Sequence, residues 1–271
     1  MTGHTLADLP HALSAGEDLS ARLEGGRPAV FTDYDGVLTP IVDRPEDATI
    51  SDEMREVVRS LAQRCSVCVV SGRDRPVVQE LMGLDDLVVA GSHGFDIWSP
   101  TEGTLEHEAA AGFEDLLEEV TQRLHDELDD VEGAFIEPKK ASVAVHYRLV
   151  AEPERPRVAG VVDGLLAERP DELKVTPGKM VYELQPKLDW NKGKAVLYLL
   201  EALDLEGDDV VPLYMGDDIT DEHAFEALAG RGIGIWVGQA DDPEVAGRTS
   251  AADYRLDSPH EVQRFLDRLA R

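Results

Sequence analysis

The stretch VFTDYDGVLTP, residues 30–40, sets two aspartates around one tyrosine where an apolar strand gives way to a glycine turn. Carboxylates repel one another and are disfavoured in strands, so Asp33 and Asp35 mark where the strand through Val30 and Phe31 ends. One reading of the pair is a polar turn that holds two acids. The other is a metal-assisted phosphoryl-transfer site, which requires partners further along the chain.

Outward from this stretch, strand and helix patterns alternate. SDEMREVVRSLAQR (51–64) is amphipathic with Ser51 as its N-cap. SVCVVSG (66–72) is a continuous apolar run of the kind buried on both faces. RDRPVVQELMG (73–83) reads as a short helix and DLVVAGSHG (86–94) as a buried strand closing in a glycine-rich turn. This is the rhythm of a parallel α/β sheet. It then changes, to an acidic helix over 106–130, two strands around a lysine-bearing turn in GAFIEPKKASVAVHYRLV (133–150), a helix over 152–168, and a hairpin in ELKVTPGKMVYELQP (172–186) that turns at Pro177 and Gly178. After Pro186 the α/β pattern resumes with NKGKAVLYLLEAL, DVVPLYMGDD, TDEHAFEALAG, GIGIWVG, ADYRL and SPHEVQRFLDRLAR. The expected fold is α/β: a Rossmann-like core with a parallel sheet from residues 1–104 and 188–271, with an inserted α+β (αββαββ) cap over 105–187. The opening MTGHTLADLPHALSAGEDL reads as an amphipathic lead-in helix.

Composition narrows the classes. The chain holds 55 acids and 26 bases, for a formal charge of −29, which argues against nucleic acid or an anionic membrane as partner. Such a charge self-repels at low ionic strength and suits a salt-adapted host. No run approaches the ~18 apolar residues of a membrane span and no signal-like segment opens the chain, so a cytoplasmic protein, monomeric by default, is expected. All lysines lie between Lys139 and Lys194, a window that suits an anionic ligand. Cys65 and Cys68 enter an apolar strand without a second ligand pair, and read as structural thiols. His4, His11, His107, His125 and His260 read as solvated, and Trp98, Trp190 and Trp236 as packing residues.

In open parallel sheets, ligands bind beyond the carboxyl ends of the strands. Four such ends carry polar groups here: Asp33 with Asp35, Ser71-Gly72-Arg73, the GSHG at 91–94 that contains His93, and Gly216-Asp217-Asp218. Mg²⁺ takes about six oxygens, usually a few carboxylates with water and phosphate, and Asp33, Asp35 and Asp217 suit it. An aspartate can attack phosphorus, a second carboxyl can protonate the leaving alkoxide, Ser71 can donate to phosphoryl oxygens, and Lys192 adds a compact positive charge. Gly36 lets the backbone curl around a phosphate.

DYDGVLTP, VVSGR, the lysine of NKGK and GDDITDE resemble, in order, the four motifs of the haloacid dehalogenase superfamily, in the form carried by its phosphatases. The resemblance implies Asp33 as nucleophile, Asp35 as acid/base, Ser71 and Lys192 holding the phosphoryl group, and a Mg²⁺ site of Asp33, Asp35 and Asp217, with Asp218 or Asp221 as a further ligand or just behind it. Gly36, Gly72, Arg73 and His93 are read from their positions as substrate-binding residues, with Arg73 alternatively capping the following helix and His93 alternatively a plain loop residue. The αββαββ insert resembles a C2-type cap, and GSHG, EPKKASVAVHYR and GKMVYELQP resemble those of trehalose-6-phosphate phosphatases. Carried over, Lys139 or Lys140, His146, Arg148, Lys179 and Glu183 would read the sugar hydroxyls of a disaccharide phosphate. The chain departs from that pattern at Gln185, where arginine is usual, at Asn191, where aspartate is usual, and at Val37, where threonine is commoner. Other readings are a phosphatase for glucosylglycerol phosphate, sucrose phosphate or a pseudo-disaccharide phosphate, a catalytically silent sugar-phosphate-binding partner of a synthase, or a response-regulator receiver, which would lack the long insert.

Overall fold

The structure, a computed structural model, describes residues 4–42, 44–107, 112–178, 180–242, 245 and 247–271. The chain divides into two units, Met1–Leu105 with Asn191–Arg271 and Glu106–Trp190.

The first unit contains, in order, β1 (His4–Thr5), α1 (Gly16–Leu23), β2 (Arg27–Thr32), α2 (Asp52–Ala62), β3 (Ser66–Val70), α3 (Arg75–Met82), β4 (Val88–Gly91), β5 (Asp96–Ser99) and β6 (Gly103–Leu105). The second contains α4 (Glu114–Leu128), β7 (Phe135–Pro138), β8 (Val143–His146), α5 (Arg155–Glu168), β9 (Leu173–Gly178) and β10 (Val181–Pro186). The chain then returns to the first unit with α6 (Lys192–Ala202), β11 (Val210–Gly216), α7 (Glu222–Leu228), β12 (Ile233–Val237), β13 (Thr249–Ser250), β14 (Tyr254–Leu256) and α8 (Pro259–Leu269).

Among the described residues, one sheet of the first unit runs β14-β12-β11-β2-β3-β4-β5-β6. The pairs from β14 to β4 are parallel. Their strands are the continuous apolar runs of the sequence, and Val30, Phe31, Val69, Val89, Leu213 and Ile235 are all at most 1% exposed, as burial under helices on both faces demands. The register sets Thr32 beside Val69 and Met215, so the residues that follow β2, β3 and β11 emerge at one edge of the sheet. Ser51 caps α2, its Oγ accepting the Met54 N–H at 3.1 Å.

The core departs from a purely parallel sheet at one side. β5 and β6 add antiparallel to β4, with Ile97 opposite Ala90 and Trp98 opposite Thr104. The sequence reading stopped at the glycine turn before them, and the alternation in DIWS is too short to stand out alone. The lead-in helix is also corrected: the segment forms β1, which pairs with β13, then a 3-10 turn at Leu6–Asp8, and α1 begins only at Gly16. Pro10 cannot donate to a helix. Its carbonyl instead accepts the Arg255 N–H at 3.0 Å, while the Ala12 N–H donates to Arg255 O at 2.9 Å, so the segment covers the edge of β14. His11, expected to be solvated, is half-buried there, with Nε2 2.8 Å from Glu261 Oε2 on α8. Cys65 and Cys68 are free thiols, Cys68 buried on β3 and Cys65 pushed up to about 11 by burial.

In the second unit the strands run β7-β8-β10-β9, all antiparallel. Ile136, Val143, Val145, Leu173 and Leu184 are buried on one face, together with Leu117, Val120 and Leu124 of α4 and Val158, Val162 and Leu165 of α5. Two expectations shift here. The acidic helix starts at Glu114 rather than 106, because Gly112 adopts φ +81 just before it; residues 108–111 of that expectation lie outside the described ones. The hairpin does not turn at Pro177 and Gly178: the ladder continues through both, with Gly178 opposite Val181, and Met180 takes the positive φ of 65. Trp190 is buried, its ring 4.6 Å from that of His107, so His107 too is a packing residue.

Candidate active site

The carboxyl end of β2 carries Asp33, 7% exposed, whose N–H still donates to Met215 O on β11 at 2.9 Å. Its Oδ1 accepts the Tyr34 N–H at 2.6 Å and its Oδ2 accepts from Lys192 Nζ at 2.5 Å. Tyr34 points the other way into the core, its hydroxyl donating to Ala48 O at 2.6 Å, as alternation along an extended chain requires. Lys192 opens α6, where Asn191 caps the helix by accepting the Lys194 N–H at 3.0 Å. Asparagine serves that cap as aspartate would, so the departure at Asn191 leaves the lysine in place.

Lys192 also donates to Asp221 Oδ1 at 2.7 Å. Asp221 is wholly buried and accepts four hydrogen bonds: from Lys192 and from the Tyr214 hydroxyl (2.6 Å) on Oδ1, and from the Asp217 and Asp218 N–H groups (3.0 Å each) on Oδ2. Two glycines permit this convergence. A Cβ on Gly216 would lie 2.3 Å from Asp221 Cγ, and one on Gly193 would lie 2.1 Å from His223 O of α7. Gly36, at φ +71, gives the same clearance to Asp217, whose Oδ2 would sit 2.1 Å from an added Cβ.

Asp33, Asp217 and Asp221 bring carboxylate oxygens within 4.8 Å of one another. Of the four aspartates expected around a metal, the structure thus gathers Asp33 and Asp217. Asp35 is engaged elsewhere, both oxygens accepting from Arg73 at 2.7 Å, and Asp218 forms a capping box with Asp221 over the turn at Ile219–Asp221. The third member is Asp221. Burial first, then Asp221, pushes Asp33 up to about 7 against the pull of Lys192. Burial first, then the Asp33 and Asp221 charges, pushes Asp217 up to about 8. Lys192 is held strongly charged, the two aspartates outweighing its burial. Ionised, the three carboxylates would carry more negative charge than one lysine offsets, and their ligating atoms are all oxygens, which suits a hard divalent cation that displaces the protons.

Ser71, buried after β3, accepts the Arg73 N–H on Oγ at 3.1 Å, which leaves its O–H to donate. Its carbonyl accepts the His93 N–H at 2.7 Å. Ser92 and His93 both take left-handed backbone, at φ 50 and 57, and the His93 ring covers Gly72 so closely that a Cβ there would lie 2.7 Å from it. Strain of this kind persists where surrounding structure enforces it. Ser71, Gly72, Arg73 and His93 thus form one cluster.

In the second unit, register puts Glu137, His146 and Glu183 on the face of the sheet opposite its buried side. His146 Nε2 lies 2.8 Å from Glu137 Oε2. Glu183 accepts from Ser142 Oγ at 2.7 Å and pairs with Lys139 at 3.5 Å. Lys140 and Arg148 are exposed beyond the strand ends, and Lys179 lies outside the described residues.

Tyr214 is not among the residues expected from sequence, and Asp221 is expected there only as an alternative to Asp218, as a further metal ligand or just behind the metal. The signal for Asp221 was its spacing four residues after Asp217. The signal for Tyr214 was a phenol in a strand that is otherwise apolar, two residues before Gly216.

Residues 31–260 match the trehalose-phosphatase family. A trehalose-phosphate phosphatase of Mycobacterium tuberculosis is 40% identical over 267 residues, covering 98% of this chain and 67% of the relative. A protein of the same organism, named an uncharacterized glycosyl hydrolase, is 41% identical over 273 residues, covering 98% of this chain but 20% of its own length, so the chain spans about a fifth of that relative. The trehalose-6-phosphate phosphatase C-terminal domain of C. albicans shares the fold with a TM-score of 0.75 at 23% identity, over 97% of this chain and 98% of that one. The chain belongs to the trehalose-phosphatase family.

Proposed function

We propose that the protein is a Mg²⁺-dependent phosphatase that hydrolyses trehalose 6-phosphate to trehalose and phosphate through an aspartyl-phosphate. The observation that carries the reading is the buried Lys192 bridging Asp33 and Asp221 beside Asp217. It is supported by the family match and by the similarity to a relative named trehalose-phosphate phosphatase. When bound by Asp33 and Asp217, Mg²⁺ would shield the nucleophile from the phosphate dianion and neutralise charge that develops on the phosphoryl oxygens.

Asp33 attacks phosphorus; the new carboxyl–phosphorus bond forms as the bond to the sugar oxygen breaks. Asp35 gives its proton to the departing alkoxide, then takes one from the water that attacks the phosphoryl-enzyme and releases phosphate. Because Arg73 occupies both oxygens of Asp35, acid–base work requires that pair to open at one oxygen at least. Two of the three Lys192 N–H donors are taken by Asp33 and Asp221, and the third is available to a phosphoryl oxygen. Ser71 Oγ–H donates to another. Lys139, Lys140, His146, Arg148, Lys179 and Glu183 are proposed to contact the sugar.

Phosphate release from a panel of trehalose 6-phosphate, sucrose phosphate, glucosylglycerol phosphate and a plain aryl phosphate, with Mg²⁺ and with EDTA, tests the reading. Trehalose 6-phosphate should lead by at least about tenfold in kcat/KM. Another sugar leading would move the substrate assignment, equal turnover of all would end the claim that the cap selects, and inertness with all would leave a silent binding module.

A further inference from the structure

We propose that Tyr214 is a positioning residue for the reaction: its hydroxyl fixes Asp221 so that Lys192 presents its remaining N–H to the transferring phosphoryl group. The inference rests on the phosphatase reading above. Tyr214 lies on β11, wholly buried, with its ring edge-on to Phe225 of α7 at 5.7 Å. Nothing about packing at that place needs an oxygen, since phenylalanine has the same ring, and a hydroxyl without a partner there would cost stability. Its O–H instead donates to Asp221 Oδ1 at 2.6 Å, the oxygen that also accepts from Lys192 at 2.7 Å.

The geometry is over-determined at one end and free at the other. The Asp217 and Asp218 N–H groups clamp Oδ2. They hold the position of the carboxylate but leave the direction from which Lys192 approaches Oδ1 to whatever else that oxygen accepts. Tyr214 takes one lone pair of Oδ1, so the ammonium is confined to the other. With a second N–H drawn to Asp33 Oδ2 at 2.5 Å, two of the three ammonium directions are fixed and the third is therefore fixed too. A lysine stem has four rotatable bonds and does not set that direction by itself. Tyr214 never touches the substrate in this account; it acts through Asp221 on Lys192.

Tyr214→Phe keeps the ring and removes one donor. The expected result is a kcat lower by about tenfold, the scale of one hydrogen bond to a charged group, with KM and the Mg²⁺ activation constant changed by less than about twofold, since Asp33 and Asp217, the proposed Mg²⁺ ligands, lose no hydrogen bond of their own and ground-state binding is untouched. Inhibition by vanadate, which mimics the five-coordinate phosphoryl group, should weaken by about the same factor as kcat, while product inhibition by inorganic phosphate stays put. A purely structural tyrosine would lower the melting temperature and leave kcat and vanadate inhibition alone, and that result overturns the proposal. So does a variant whose loss lies in Mg²⁺ activation. A second readout needs no turnover: the Lys192 ammonium signal, assigned by its loss in Lys192→Met, should exchange with water at least about tenfold faster in Tyr214→Phe while β11 amides keep their rates. Unchanged exchange overturns the inference even if the wild type is inert with every phosphate ester, a result that would instead sink the phosphatase reading.

Discussion

Lys192 Nζ stands 2.5 Å from Asp33 Oδ2, with the two side chains 2% and 9% exposed. A buried cation shared between buried carboxylates is costly to assemble and costlier to break, because removal of one partner leaves an uncompensated charge in low dielectric. Lys192→Met should therefore lower stability by about 3 kcal/mol and turnover by at least about a hundredfold, read by urea unfolding and by phosphate release. The stability loss should be smaller at pH 6 than at pH 8.5, because Asp33, already raised to about 7, takes up a proton when the lysine is gone. A loss independent of pH would mean that the pair is not the electrostatic centre.

The raised carboxyls set a sign for metal and pH. An unfolded aspartate titrates near 3.9, while folded Asp33 and Asp217 titrate at about 7 and about 8. The metal-free fold thus holds these protons more tightly than the unfolded chain, so its stability is greatest below about pH 4 as far as these groups go, and falls as pH rises through 7 to 8. Mg²⁺ competes with those protons. Millimolar Mg²⁺ should raise the melting temperature more at pH 8 than at pH 6, and EDTA should abolish the difference; equal shifts at both pH values would contradict the assignment of Asp33 and Asp217 as ligands.

The Arg73–Asp35 pair is bidentate, with side chains 17% and 37% exposed. Partial exposure makes its stability contribution small, about 0.5 kcal/mol, but the planar fork aims Asp35. Arg73→Met is expected to leave the melting temperature nearly unchanged and reduce kcat/KM by about tenfold. Arg73→Lys should not restore it, because an ammonium cannot reproduce the fork. Full rescue by lysine would show that charge alone is needed.

Glycines separate site geometry from ordinary helix entropy. Gly193→Ala drives a methyl toward His223 O at 2.1 Å, and should cost about 1–3 kcal/mol and displace Lys192. Gly160→Ala on α5 meets nothing within 4 Å and should stabilise by about 0.5–1 kcal/mol. Thermal unfolding of the two variants checks both signs, and a neutral Gly193→Ala would refute the close α6–α7 approach.

Much of this was legible in the chain. Apolar runs and caps give β2, β3, β4, β11 and α2 because burial on both faces and N-capping leave direct traces in residue type. The pairing of Asp33 with Lys192, 159 residues apart, was accessible through motif order. What escaped was decided by contacts that no local pattern carries. β5 and β6 are short strands at one side of the sheet, placed there by the pairing of β5 with β4. The N-terminal segment does not form one helix because its residues around Pro10 and Ala12 bond to Arg255 of β14. Asp35 turns to Arg73 while Asp221 turns inward because only the folded backbone decides which of several nearby carboxylates meets the lysine. The signal at Tyr214 is ambiguous, because a phenol among apolar neighbours also reads as packing until its partner is known.

The central claim is that Asp33 carries the phosphoryl group. Acid quench during turnover of trehalose 6-phosphate, followed by peptide mass analysis, tests it most directly. The account predicts a phosphoryl adduct on the peptide that contains Asp33, absent in Asp33→Asn together with turnover, while that variant still binds Mg²⁺ and substrate measurably. Turnover that survives Asp33→Asn, or an adduct on a different residue, would contradict it.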